Sequence, residues 1–186
     1  LKLFIIKKII KSTYKKLIKF VPPSLGASLE FHTNHYRFFY PFGSAMNGQT
    51  ARLESCRRCL TNLSIDAIIE TGTFRGVTTE WFSSFSPIPV YTIEINPRYY
   101  FFSKKRLKSK PNVNLFLGSS EDVLSKKLKD KLKNKSLFIY IDAHWESYLP
   151  IKEEIKSINS ISSNYIILID DFKVPNDIGY EYDDYG

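Results

Sequence analysis

From residue 65 onward, short apolar runs alternate with longer amphipathic ones. Five runs predict strands: Asp66–Glu70, Val90–Glu94, Val113–Leu117, Leu137–Asp142 and Tyr165–Asp170. They are rich in Ile, Val, Tyr and Phe with little polar alternation, as strands covered on both faces are. The segments between them carry readable helix starts. Asn96 before Pro97 is an N-cap with proline at the first helical position, opening a helix to about Lys108. Pro150 opens I-K-E-E-I-K-S-I, whose Ile151, Ile155 and Ile158 share one face. A further helix is expected over Gln49–Leu60, and lysine-rich residues 126–135 read as a solvated helix end and loop. The alternation predicts an α/β fold: a doubly wound, mainly parallel sheet with helices on both faces.

At 186 residues the chain has room for one domain with a substantial core. Three segments are expected: a basic amphipathic stretch over 1–20, a helical and aromatic extension over 21–64, and the α/β domain over 65–186. The net charge of +8 changes this picture only at one end. Residues 1–20 hold seven Lys and no acid, which leaves +1 for the rest. Basicity confined to a terminus argues against a nucleic-acid partner. Lys pairs alternating with Ile, Leu and Phe there suit either peripheral contact with an anionic membrane or a helix docked on its own domain. The apolar stretches are too broken by Lys to span a bilayer, and no secretory cleavage site follows.

Cys56 and Cys59 give no disulfide framework, so a cytoplasmic, reducing location is expected. As a C-x-x-C pair they lack the second pair of a zinc site and fall in a predicted helix. His32 and His35 sit among aromatics, where packing or substrate contact explains them more cheaply than a metal.

Candidate chemistry gathers at the carboxyl ends of the strands, where open α/β sheets bind ligands. E-T-G-T-F-R-G occupies 70–76, with Gly72 and Gly76 able to turn the backbone closely around a ligand. A dinucleotide fingerprint would need glycine at 72, 74 and 77; Phe74 and Val77 exclude it. Glu94 closes the second strand, where a carboxylate can accept from both ribose hydroxyls. Ser119, Ser120 and Glu121 of G-S-S-E follow the third strand, able to meet an adenine edge or to cap a helix. The fourth strand ends at Asp142 with His144 two residues on; the fifth ends at Asp170 and Asp171. Three carboxylates at neighbouring tips could share a hard cation. One Asp at a strand end also commonly caps a helix, but adjacent like charges repel unless something positive lies between them.

These elements resemble the first motifs of class I S-adenosylmethionine-dependent methyltransferases over about residues 65–175. The likeness is to the metal-dependent O-methyltransferases of the catechol and macrolide-sugar type. It implies a Rossmann-like sheet, with Glu70, Gly72, Thr73 and Gly76 at the methionine part of the cofactor and Glu94 at the ribose. Ser119, Ser120 and Glu121 would lie on the adenine side, and Asp142 beside the cofactor. Asp142, Asp170 and Asp171 would hold Mg2+ or a similar divalent cation. Such sheets carry two more strands, so the last strands are expected to be missing from this chain. The function implied is metal-assisted methylation of a hydroxyl on a sugar or other small molecule. His144, whose ordinary pKa lies near neutrality, is the candidate base, working with Asp142; Lys173 is a lesser one. A metal-free methyltransferase with another acceptor, and a non-catalytic membrane-associated nucleoside-binding module, are the alternatives.

Overall fold

The computed structural model describes residues 20–33, 44–85, 87–144 and 148–170. His35, Asp171, Lys173 and residues 1–19 of the basic stretch lie outside them. Chain order is α1 (Pro23–Thr33), α2 (Thr50–Asn62), β1 (Ala67–Thr71), α3 (Val77–Phe85), β2 (Val90–Glu94) and α4 (Pro97–Arg106). There follow β3 (Val113–Leu117), α5 (Ser120–Val123, continued by a π turn to Leu128), β4 (Leu137–Ile141), α6 (Ile151–Ile161) and β5 (Tyr165–Ile169). All five strands are parallel, in the order β3-β2-β1-β4-β5. The order reverses between β1 and β4, and a crevice opens there at the carboxyl edge.

The strands carry apolar side chains on both faces because both faces are covered. Ile69, Ile139 and Ile141 pack with Leu124, Leu128 and Ile158 of α5 and α6. Ile68, Phe138 and Tyr140 pack on the other face with Phe82 of α3 and Cys56 and Leu60 of α2. Each such fully buried side chain contributes roughly 1.5–3 kcal/mol. The stretch 126–135 departs from the expected solvated loop, since Leu128 and Leu132 are core residues. Leu124, Leu128 and Leu132, four residues apart, form an apolar stripe that the surrounding lysines mask in the sequence.

Local signals explain the other joints. The Asn96 side chain caps α4 by accepting from the Arg98 amide at 2.9 Å, with Pro97 next in line. The small Gly26 and Ala27 are buried on the inner face of α1, which packs on α4. The described part of the extension is thus built into the same core as the sheet. No helix among the described residues is long and apolar enough to cross a membrane.

Candidate functional site

The loops after β1, β2, β3 and β4 enclose a cavity of about 500 Å³ at the reversal of strand order. Seven of the expected residues line it: Gly72, Glu94, Ser119, Ser120, Glu121, Asp142 and His144. Among the described residues three carboxylates line it and no Lys or Arg does. The cavity therefore favours a ligand that is cationic or rich in hydroxyls over one that carries phosphates.

Glu94 organises the rim. One carboxylate oxygen accepts from the Phe74 amide at 2.6 Å and the other from the Asn96 amide at 2.7 Å. A single side chain thereby fixes the loops after β1 and β2, and each oxygen keeps acceptor capacity for a ligand hydroxyl. Burial pushes Glu94 up to about 7, against the pull of those amides.

The β1 loop is tight where it passes β4. Gly72 has φ +84°, and a Cβ on it would lie 2.3 Å from the Asp142 carbonyl oxygen. Phe74 takes φ +49°, unusual for a residue with a bulky side chain, and its ring meets Tyr99 edge-on at 4.6 Å. The adjacent Arg75 stacks over Phe74 at 4.4 Å and is buried. Its guanidinium meets Glu30 of α1 at 2.5 and 3.1 Å, and Arg98 meets the other Glu30 oxygen at 2.5 Å. Glu30 is itself 1% exposed. Arg75 follows Phe74 and Arg98 lies two residues beyond Asn96, so Glu30 grips from outside the two loops that Glu94 grips from inside.

Three expected residues of the methionine end are placed otherwise. Glu70 is turned into the protein, where it accepts from the Thr79 hydroxyl and, at 2.6 Å, from that of Thr92. Burial pushes it up to about 7. It supports the cavity floor without lining it, on the same sheet face as Ile68 two residues earlier. Gly76 packs toward α4: a Cβ there would come 3.2 Å from Ser103 and Leu107. Thr73 shares a 2.6 Å hydrogen bond with Thr92 and borders a smaller adjoining cavity of about 190 Å³ with Asn47 and Asp142. Ser119 stands at the α5 N-cap position without a side-chain cap bond.

At the acidic tips, Asp142 reaches the cavity and Asp170 does not line it. Asp170 has a counter-charge already: Arg52 of α2 forms an ion pair with it and the Tyr140 hydroxyl donates to it. Its side chain is 4% exposed. Among the described residues there is no group of three or more His, Cys, Asp or Glu that could hold a metal ion. Asp170, so engaged, does not fit the ligand role that the resemblance implies, and Asp171 lies outside the described residues. Cys56 is buried, and burial pushes its thiol up to about 12, which suits packing and not chemistry. His32 packs edge-on against Phe31 at 5.6 Å.

Asn47, Phe74, Ile95, Tyr99 and Tyr148 are among the cavity residues that the sequence did not assign to a ligand. Phe74 alone carried a signal, since it replaces the middle glycine of a loop otherwise shaped for close approach.

No protein-family profile matches the chain, and no curated protein does. Among solved structures, 173 chains match. The O-methyltransferase TomG from Streptomyces achromogenes, involved in tomaymycin synthesis and seen with SAM, superposes with TM-score 0.57 at 18% identity. The match covers 86% of this chain and 71% of TomG. An O-methyltransferase from Bacillus cereus, in complex with SAH, gives 0.53 at 16% identity over 77% of this chain and 64% of its own. The amino pentose methyltransferase CalS10 from Micromonospora echinaspora, bound to SAM, gives 0.51 at 16% identity over 75% and 57%. The chain has the Rossmann-like fold that these methyltransferases share.

Proposed function

We propose that the chain binds S-adenosylmethionine in the cavity at the strand reversal and transfers its methyl group to a hydroxyl of a small molecule, such as a sugar. The observation that carries this reading is the charge of the cavity: among the described residues Glu94, Glu121 and Asp142 line it without Lys or Arg. Such a lining suits a sulfonium and a ribose and disfavours phosphorylated nucleotides. Three structures of the same fold, TomG, CalS10 and the B. cereus protein, hold SAM or SAH, which supports the choice of ligand.

In this reading Glu94 accepts the ribose hydroxyls, while Ile95 and the Phe74–Tyr99 pair offer apolar surface to the adenine ring. Asp142 draws the positive end of the ligand toward β4. When bound, the cofactor supplies an activated methyl on a sulfonium, whose charge is lost as the methyl leaves. Transfer then depends on holding the acceptor oxygen in line and removing its proton. His144, at the cavity edge two residues beyond Asp142, accepts that proton on an imidazole nitrogen. Mg2+ does not fit the described arrangement at Asp170, so the chemistry is assigned to Asp142 and His144 alone.

Calorimetry with S-adenosylmethionine tests the proposal. Binding by the wild-type chain is expected; no binding in any condition would sink the reading. Glu94→Gln should weaken affinity roughly tenfold to a hundredfold, since the amide cannot accept at both positions. Chelation followed by added Mg2+ should leave affinity unchanged, and formation of the demethylated product with a hydroxyl acceptor should be equally indifferent. Asp170→Asn should lower folding stability by about 3 kcal/mol by leaving Arg52 opposite a neutral group. A strict Mg2+ requirement, lost in Asp170→Asn, would instead restore the metal.

A further inference from the structure

A second cavity, of about 860 Å³, shares no lining residue with the first and runs along α1, α4 and the edge strand β3. Lys104, Lys105, Lys108 and Lys110 line it, Leu25 and Phe101 supply apolar wall, and no Asp or Glu among the described residues contributes. Lys126 and Lys156 elsewhere pair with neighbouring carboxylates. The four groove lysines form no salt bridge among the described residues. Lys104 lies 5.8 Å over the Tyr100 ring and Lys110 reaches the Ser84 hydroxyl at 3.4 Å. Cations gathered within a Debye length of one another repel unless an anion joins them.

Apolar surface stands beside this charge. Leu25 and Leu29, one helical turn apart on α1, are 52% and 50% exposed, and Phe20 just before the helix is 88% exposed. Leucines held in water next to flexible lysines suit a boundary between head groups and acyl chains, where lysine stems lie along apolar matter and the ammonium groups stay outside. A nucleic acid is favoured less. Among the described residues no arginine lines the groove to make forked phosphate contacts, and although Tyr100 and Phe101 stand in its wall, the exposed apolar residues of α1, Leu25 and Leu29, are aliphatic and offer bases no stacking surface.

We propose that this groove is a docking face for an anionic membrane surface. Leu25, Leu29 and Phe20 enter the head-group boundary and the four lysines meet lipid phosphates. These four lysines are additional to those of residues 1–19, and their role is independent of the cofactor reading. A lysine near an anionic membrane strengthens binding about fivefold, so the groove has a measurable share even with the terminal segment present.

Co-sedimentation of the full chain with vesicles provides the test, using phosphatidylcholine alone and phosphatidylcholine mixed with phosphatidylglycerol. The wild-type chain should partition onto the mixed vesicles, less so as salt rises, and stay free of the neutral ones. Changing Lys104, Lys105, Lys108 and Lys110 together to Ser should reduce partition by about tenfold or more. Leu25→Ser with Leu29→Ser should reduce it with every lysine kept; these side chains are exposed, so circular dichroism should stay unchanged. Wild-type partition by the four-lysine variant would assign binding to residues 1–19 and overturn the proposal. So would a wild-type chain that ignores the mixed vesicles, or one that prefers single-stranded oligonucleotides to them.

Discussion

Glu30→Gln will weaken S-adenosylmethionine binding at least tenfold and lower folding stability by about 3–5 kcal/mol, although Glu30 does not line the cavity. The substitution removes the negative charge that both Arg75 and Arg98 meet, one of them fully within the protein. Breaking a buried pair from one side is expensive because the remaining charge has been taken out of water. The effect on affinity follows from connectivity. Arg75 carries the Phe74 ring, the Phe74 amide donates to Glu94, and Arg98 sits in the first turn of the helix whose cap residue, Asn96, donates to the other Glu94 oxygen. Once released, the Phe74 loop would leave its left-handed backbone conformation and withdraw its amide. Calorimetric affinity and a denaturant midpoint should be measured together. Glu80→Gln is the control, since it removes an ion pair with Arg106 whose carboxylate side is 38% exposed. It should cost under about 1 kcal/mol and leave affinity unchanged. Affinity that stays at the wild-type value in folded Glu30→Gln would refute the connection.

Gly72→Ala is expected to abolish cofactor binding and to destabilise the fold by about 3 kcal/mol or more. Two penalties act together: the positive φ disfavours any side chain, and the new methyl would meet a backbone oxygen and carbon of the β4 tip at 2.3 and 2.8 Å. Backbone cannot rotate away as a side chain can, so β1 and β4 must separate at the point where the crevice opens. Gly76→Ala offers the contrast. Its φ is also positive, but its neighbours are the Ser103 and Leu107 side chains at 3.2 Å, so the damage should be smaller and mostly to stability. Thermal melts and titration of both variants separate the cases. Equal losses in the two would mean that strain in φ alone governs the loop.

The strands were legible within a residue at each end, because runs such as L-F-I-Y-I carry apolar side chains on both faces and a covered parallel sheet accommodates that. The Asn96–Pro97 start of α4 was equally plain, since cap chemistry is local. What stayed hidden was nonlocal. Arg52 and Asp170 are separated by 118 positions, and nothing in either neighbourhood announces the other. The adjacent acids at the end of β5 did signal that a positive charge was needed; they could not say whether it would be a metal or an arginine. Glu70 shows the complementary limit. Its place at a strand end suggested a ligand contact, yet strand alternation sends its side chain with Ile68 toward Thr79 of α3, where two hydroxyls satisfy it.

The grip of Glu30 on both loops also sets the minimal autonomous unit of this protein. Judged by sheet pattern alone, a self-sufficient unit would begin near β1, and trimming everything before it would look harmless. Such a shortened chain would lose α1 and with it the carboxylate shared by Arg75 and Arg98. The smallest part expected to fold and keep an ordered rim therefore starts ahead of Pro23, and any attempt to shed the lysine-rich terminus has only the few residues before that proline in which to cut.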